Sequence, residues 1–315
     1  MKSAVLFLVF NRPDKTERAF ATIRAARPPR LYVSADGPRP DRPGEQARCH
    51  AVREIVTAVD WPCELQTLFR KENLGCKRGV SSGIAWFFEN EDEGIILEDD
   101  VVPEPSFYRF CDALLERYRD DPRVAAISGS NLVQDRYVPG NSYFFSRYTH
   151  VWGWATWRRA WKHYDVTMAA WPAWESAGGL AREFSNASTA GFWRNILHSV
   201  HRGEVDTWDF QWLFACWQRG AVCVLPAVNL TRNLGFDGEA THTTGSIPEY
   251  MKGVQVRPLE FPLAHPDRVE RSAAADRTID RIVFSTPIMS RLRSGIGRMF
   301  KLVGVFGRVN RTGSQ

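Results

Sequence analysis

Three carboxylates in a row, Glu98-Asp99-Asp100, follow the apolar run Ile95-Ile96-Leu97. Like charges side by side are costly where the dielectric is low. A hard divalent cation, which takes oxygen ligands, relieves that cost. Two other apolar runs also end in polar clusters: Ala4 to Phe10 in Asn11-Arg12-Pro13, and Leu31 to Ala35 in Asp36-Gly37-Pro38. If these ends converge, they form a site for a metal ion and a diphosphate. An acidic triplet alone says less, because Glu91-Asp92-Glu93 is a second one, read here as a solvated turn capping a helix. For the strand-end triplet the alternatives are a solvated turn or simple helix-start acids.

The elements that must position these residues follow an alternating pattern. Ala4 to Phe10, Leu31 to Ala35, Glu64 to Phe69, Gly94 to Leu97 and Val124 to Ser128 read as strands. Between them Pro13 to Ala26, Glu45 to Ala58, Lys77 to Phe88 and Pro103 to Arg119 read as helices. Strands that are continuously apolar predict a mainly parallel sheet with helices on both faces, an α/β fold whose ligands bind beyond the carboxyl ends of the strands. Ten of the twelve tryptophans lie between Trp152 and Trp217, among short helical patterns, and no Gly/Ser linker or repeat separates the halves. One integrated domain is expected over residues 1–265, with a nucleotide half at 1–130 and an acceptor half at 131–265.

Composition narrows the function classes. In 315 residues, 44% are hydrophobic and 24% charged, with 23 Gly and 18 Pro, which excludes a disordered or collagenous chain. The longest apolar run has seven residues, far below the roughly 18 to 20 of a membrane span. Asn11-Arg12-Pro13 ends that run without a cleavage site, so the chain is expected to be unexported and cytoplasmic. The six cysteines form no CxxC or CxxH pairing, and neither a disulfide framework nor a zinc ribbon is indicated. The net charge of +5 is uneven: residues 281–315 hold seven Lys or Arg and no acid, so the body is slightly negative. A nucleic-acid partner is therefore not expected.

Taken in order, the first strand running into Asn11-Arg12-Pro13, Ser34-Ala35-Asp36-Gly37, Asn73-Leu74-Gly75 and Leu97-Glu98-Asp99-Asp100 resemble a nucleotide-sugar glycosyltransferase of the GT-A fold. Gly153-Trp154, Trp208-Asp209-Phe210-Gln211-Trp212 and the Asn233-to-Thr243 segment are similar to motifs of the N-glycan β-1,2-N-acetylglucosaminyltransferase and its bacterial relatives. The likeness covers roughly residues 3–245. It implies an inverting transferase that uses Mn²⁺ (or Mg²⁺) and a nucleoside-diphosphate sugar, UDP by default, with a glycan or lipid-linked acceptor. Asp100 matches the metal-holding residue, Asp99 and Glu98 match positions facing the ribose and donor sugar, and Asp36 matches the acid beside the nucleoside. Arg12 falls at the base or phosphate.

Further residues carry two readings each. Lys77 and Arg78 open a helix near the expected nucleotide and suit phosphate oxygens, or form a solvated helix turn. Asp209 is the candidate base for the acceptor hydroxyl, with Asp206 as the alternative; capping of a helix start competes for both. The eukaryotic enzyme has two adjacent acids after the tryptophan where this chain has Asp209-Phe210. His242, between two threonines, is a candidate for the diphosphate or the metal. Trp152, Trp154 and Trp208 are candidates for a sugar platform, the rest of the cluster for core. A sugar-nucleotide nucleotidyltransferase is the competing enzyme, but it would carry a Gly-rich loop after the first strand. A non-catalytic glycan-binding protein is the competing class.

Residues 266–315 read as a tail. From Ile288 to Phe306, Ile288, Leu292, Ile296, Met299, Val303 and Phe306 recur at three- and four-residue steps beside Arg291, Arg293, Arg298 and Lys301. This basic amphipathic pattern suits an anionic membrane surface at the inner face of the cytoplasmic membrane. Packing on the body or on a twin subunit in a homodimer is the alternative.

Overall fold

A computed structural model describes residues 1–236 and 249–284. The chain runs β1 (Ala4–Val9), α1 (Pro13–Ala26), β2 (Arg30–Ala35), α2 (Glu45–Thr57), β3 (Glu64–Phe69), α3 (Gly75–Asn90), β4 (Glu93–Glu98) and β5 (Val101–Pro103). Then follow α4 (Pro105–Arg117), β6 (Val124–Ser128), β7 (Tyr143–Ser146), β8 (Trp154–Trp157), α5 (Arg158–Trp161), α6 (Trp171–Ser176) and α7 (Gly179–Glu183). The last elements are α8 (Ala187–His201), α9 (Asp209–Gln218), β9 (Val222–Pro226), β10 (Thr231–Asn233) and α10 (Ala273–Val283).

Eight strands form one sheet in the order β3-β2-β1-β4-β8-β6-β9-β7, and β10 pairs with β5 in a separate ribbon. The β3-β2-β1-β4 half is parallel throughout, as continuous apolar strands predict, and β1 is buried along its whole length. In register, Leu8 of β1 lies between Ser34 of β2 and Glu98 of β4. The three strands therefore end at one level, and the residues just beyond them share one edge. The fold is a Rossmann-like α/β sheet, and in sheets of this kind ligands commonly bind beyond the carboxyl ends of the strands.

Beyond β4 the pattern changes. Trp154–Trp157 enters as β8, antiparallel to both β4 and β6, and joins the two halves into one sheet. A four-residue strand of Trp-Ala-Thr-Trp has too short a pattern to identify from sequence. Helix α4 starts at Pro105, later than the expected Pro103, because residues 101–103 are held by β10. Glu104 caps it, accepting from the Ser106 amide at 2.7 Å, and Pro105 occupies the first turn where its missing N–H is harmless.

Two expectations are corrected. Glu91 is no solvated turn: it is buried, receives the Arg30 guanidinium and accepts from the Tyr32 hydroxyl at 3.0 Å. Only Asp92 of that triplet is exposed. Residues 266–284 belong to the body and not to a tail. In α10, Asp276 accepts from Ser146 at 2.6 Å, Asp280 pairs with Arg147 at 2.6 Å, and Ile279 and Val283 are buried. The amphipathic stretch from Ile288 to Phe306 lies outside the described residues. Among those described, no helix is long and apolar enough to cross a membrane.

One close approach shapes the edge. A Cβ on Gly37 would stand 2.4 Å from the backbone of Glu72, so the turn after β2 and the loop before α3 touch main chain to main chain. Gly37→Ala is expected to lower unfolding free energy by ~2 kcal/mol, the usual scale of overpacking. Urea denaturation measures it.

Candidate functional site

At the end of β4 the apolar run Ile95 to Leu97 is buried, Glu98 is half-buried, and Asp99 and Asp100 are buried. The Asp99 amide donates to the Leu8 carbonyl at 3.0 Å, which pins the acidic turn beside the end of β1. Arg12, the residue before α1, reaches across. Its Nη1 donates to Asp100 Oδ2 at 2.6 Å, its Nε to Asp99 Oδ2 at 3.2 Å, and its Nη2 to Asp99 Oδ1. Burial works to lower the guanidinium pKa, but the charges of Asp100 and Asp99 outweigh it and raise it. Arg12 is thus committed to the carboxylates, where the sequence reading placed it on a base or phosphate. Two buried carboxylates need a counter-charge, and Arg12 is three residues past the neighbouring strand.

One turn on, Lys15 is also buried, and its Nζ donates to the Leu234 carbonyl at 2.8 Å. The Leu234 amide in turn donates to the Asp100 carbonyl at 2.7 Å. Asn233 Oδ1 accepts from the Gly235 amide at 2.7 Å. A Cβ on Gly235 would lie 2.7 Å from Asn233 Oδ1 and 3.0 Å from Asp100 Oδ2, so both oxygens border the space that glycine leaves open. Hard oxygen donors of this kind are what a divalent cation takes, but Asp100 Oδ2 already accepts from Arg12 Nη1 and Asn233 Oδ1 from the Gly235 amide. Among the described residues no group of three or more His, Cys, Asp or Glu gathers to hold a metal. His242 lies outside the described residues. Lys15 and Asn233 were missed in sequence. Lys15 reads as an ordinary helix lysine, and its partner is 219 residues away.

Asp36, at the end of β2, is fully engaged. It accepts from the amides of Gly37 (2.9 Å), Leu74 (3.0 Å) and Gly75 (3.2 Å) and from Asn73 Nδ2 (3.0 Å). Burial raises its pKa against the opposing pull of these amides. Its visible work is to hold the Asn73-Leu74-Gly75 loop at the start of α3. The next two amides of that helix, Cys76 and Lys77, donate to Asp206 at 3.1 and 3.2 Å. Asp206 therefore caps α3, and not the helix that follows it in sequence. The side chains of Lys77, half-buried, and Arg78, exposed, make no ion pair with the described residues.

Asp209 opens α9 with no exposed surface. Its Oδ1 accepts from the Thr207 hydroxyl and from the Phe210 amide at 3.0 Å, while Oδ2 has no hydrogen-bond partner among the described residues. Burial pushes the pKa up to about 7 against these two donors. Glu98 is pushed up to about 8, first by burial, then by Asp100 and Asp99, with Asp209 adding to the effect. The charge of Asp209, from the second half of the chain, thus reaches Glu98 at the end of β4.

The platform reading of the tryptophans does not hold. Trp152, Trp154 and Trp208 are 6%, 1% and 1% exposed, and Trp154 stacks on Trp208 at 5.7 Å. The faces of Trp154 and Trp208 are used by other indoles, both packing near Trp161, and Trp152 is buried, so none offers an open ring to a sugar. Two surface cavities, of about 670 and 560 Å³, include none of the acidic-site residues.

No protein-family model matches the chain, and no curated protein matches its sequence. Solved structures share parts of its architecture at low identity. A UDP-glucose pyrophosphorylase complexed with UDP-glucose aligns at 12% identity and a TM-score of 0.25 over 40% of this chain; the chain spans 56% of that protein's length. A UTP-bound UGPase from Acinetobacter baumannii aligns at 10% and 0.36, covering 75% of this chain and 89% of that one. Mouse xyloside xylosyltransferase 1 aligns at 8% and 0.31, covering 69% and 81%. Overlaps this partial leave the functional reading to the chemistry of the site.

The raised Asp209 pKa has a consequence for stability. The folded chain holds a proton there that the unfolded chain releases above its ordinary value of 3.8, so stability falls as pH rises from that value to about 7. Asp209→Asn, which cannot ionise, is expected to gain on the parent across this window by on the order of 4 kcal/mol. Urea unfolding of both proteins between pH 4 and pH 8 tests it: the difference between them should grow with pH and level off above 7.

Proposed function

We propose that the chain is a glycosyltransferase that moves a sugar from a nucleoside-diphosphate sugar, UDP-linked in the first instance, to a hydroxyl of a glycan or glycolipid. The observation that supports this most is the turn of strand-end acids Glu98, Asp99 and Asp100 at the sheet edge, with the charge of a fully buried carboxyl, Asp209, adding to the raised pKa of Glu98. Acids at the carboxyl ends of parallel strands suit the diphosphate end of a donor once its charge is balanced. A carboxyl of near-neutral pKa suits a general base.

In this reading the acceptor oxygen attacks the anomeric carbon as the carbon–oxygen bond to the diphosphate breaks. The electron pair leaves with the diphosphate. The acceptor proton passes to Asp209 Oδ2, the oxygen that no donor among the described residues claims. Displacement in one step inverts the anomeric centre. Asp209 has no exposed surface, so the acceptor must displace part of its cover. Lys77 and Arg78 meet the diphosphate oxygens as side chains, because the amides at the start of α3 are already used by Asp36 and Asp206. Bound through Asp100, Mn²⁺ or Mg²⁺ would supply counter-charge to the leaving group.

A nucleotidyltransferase is disfavoured by the connection after β1. Only Phe10, Asn11 and Arg12 stand between it and α1, with no Gly-rich phosphate loop.

The test is a panel of UDP- and GDP-sugars, with Mn²⁺ or Mg²⁺, scored by thermal shift and by release of the nucleoside diphosphate. One donor should raise the melting temperature and be turned over, and Asp100→Ala should lose the cation-dependent part of the shift. Asp209→Asn should keep the donor shift and lose turnover by ~100-fold or more. A protein that binds donor without releasing diphosphate is a binding module, and a product that retains the donor's configuration rejects the displacement mechanism.

A further inference from the structure

Asp206 stands apart from the other site acids because it joins the two halves of the chain. It lies three residues before Asp209, yet its carboxylate accepts from the Cys76 and Lys77 amides, about 130 residues away. Gly75 is shaped for this contact: its φ is +77°, and a Cβ there would stand 3.0 Å from Asp206 Oδ2. The short segment between the two acids is otherwise closed. Thr207 and Trp208 are buried, Thr207 donates to Asp209 Oδ1, and the Thr207 carbonyl accepts from Gln211 Nε2 at 2.7 Å. Displacing Asp206 thus moves a stiff segment whose far end is Asp209.

We propose that Asp206 is a positioning residue: by gripping the first amides of α3 it sets where Asp209 stands relative to the donor side of the site, beside the cations Lys77 and Arg78. The proposal rests on the reading of Asp209 as the base. A simple helix cap would stabilise α3 just as well from a residue of its own loop. Here the cap comes instead from the segment that carries Asp209, so the start of α3 and the start of α9 cannot shift independently. A donor that pulls on Lys77 or Arg78 acts on the same turn of backbone.

The experiment compares Asp206→Ala, Asp206→Asn and, as a cap removed elsewhere, Glu104→Ala. Asp206→Ala should lower kcat by ~10- to 100-fold, the effect of misplacing a catalytic group by about an ångström. UDP affinity measured with Mn²⁺ should stay within about twofold, since the donor's cations remain. Hydrogen exchange should quicken at residues 75–78 and at 204–210 together. Asp206→Asn keeps an oxygen acceptor and should recover most of both effects, and Glu104→Ala should change neither kcat nor exchange at 204–210. Unchanged exchange at 204–210 in Asp206→Ala overturns the proposal, as does an equal loss of kcat in Glu104→Ala. If Asp206→Ala fails to fold, the graded effect of Asp206→Asn on kcat and exchange decides. Normal turnover by Asp209→Asn shows instead that the base assignment has failed, and exchange alone then decides whether the tether stands.

Discussion

The end of β4 delivers three carboxylates to a place where they cannot spread apart. The Asp99 amide is bonded to β1, and the Asp100 carbonyl is bonded to the loop after β10, so the backbone holds the acids at the sheet edge. Buried like charges of this kind need a counter-charge, and the guanidinium of Arg12 supplies it with three nitrogens. Much of the edge is arranged around that need. Helix α1 starts directly after Arg12, Lys15 draws the Leu234 carbonyl in from one turn further on, and Asn233 and Gly235 close the same corner. The edge is thus balanced by a cation resident in the chain and is not a bare acidic cluster.

A second arrangement inverts a common rule. The start of a helix offers free amides to anions, and the start of α3 lies beside the carboxyl ends of the strands. Its amides are taken by two carboxylates instead, Asp36 from β2 and Asp206 from the segment before α9. The helix dipole is thus spent on joining the halves of the protein, and the exposed contribution of this turn is the side-chain charge of Lys77 and Arg78. The same joining appears in the sheet, where β8 from the second half lies between β4 and β6. The tryptophans complete it: Trp212 of α9 packs against Trp154 and Trp161, and burial at the start of that helix is what raises the pKa of Asp209.

Much of the first half was legible from residue pattern alone. The strands and helices up to Val124–Ser128, the unexpected β5 apart, fall within a few residues of their expected places, because apolar runs and 3.6-residue periodicity report burial directly. The acids at the end of β4 and Asp36 at the end of β2 were visible for the same reason: they are the first polar residues after buried strands. Beyond residue 140 the signal weakened. A region rich in tryptophan is apolar on every face, so periodicity could not separate β8 from the helices around it, nor core indoles from exposed ones.

What the sequence by itself determined was therefore, for the first half of the chain, which strands run buried and parallel and which charged residues sit where they stop. Only the tertiary structure decided what those charges touch. Arg12 meets Asp99 across 87 residues, Leu74 donates to Asp36 across 38, and Cys76 donates to Asp206 across 130. Local pattern records the environment of a residue, but a hydrogen bond also depends on the position of a partner set by the path of the whole chain. That is why Asp206 read as a base or a cap of its own helix, while the fold makes it the cap of another.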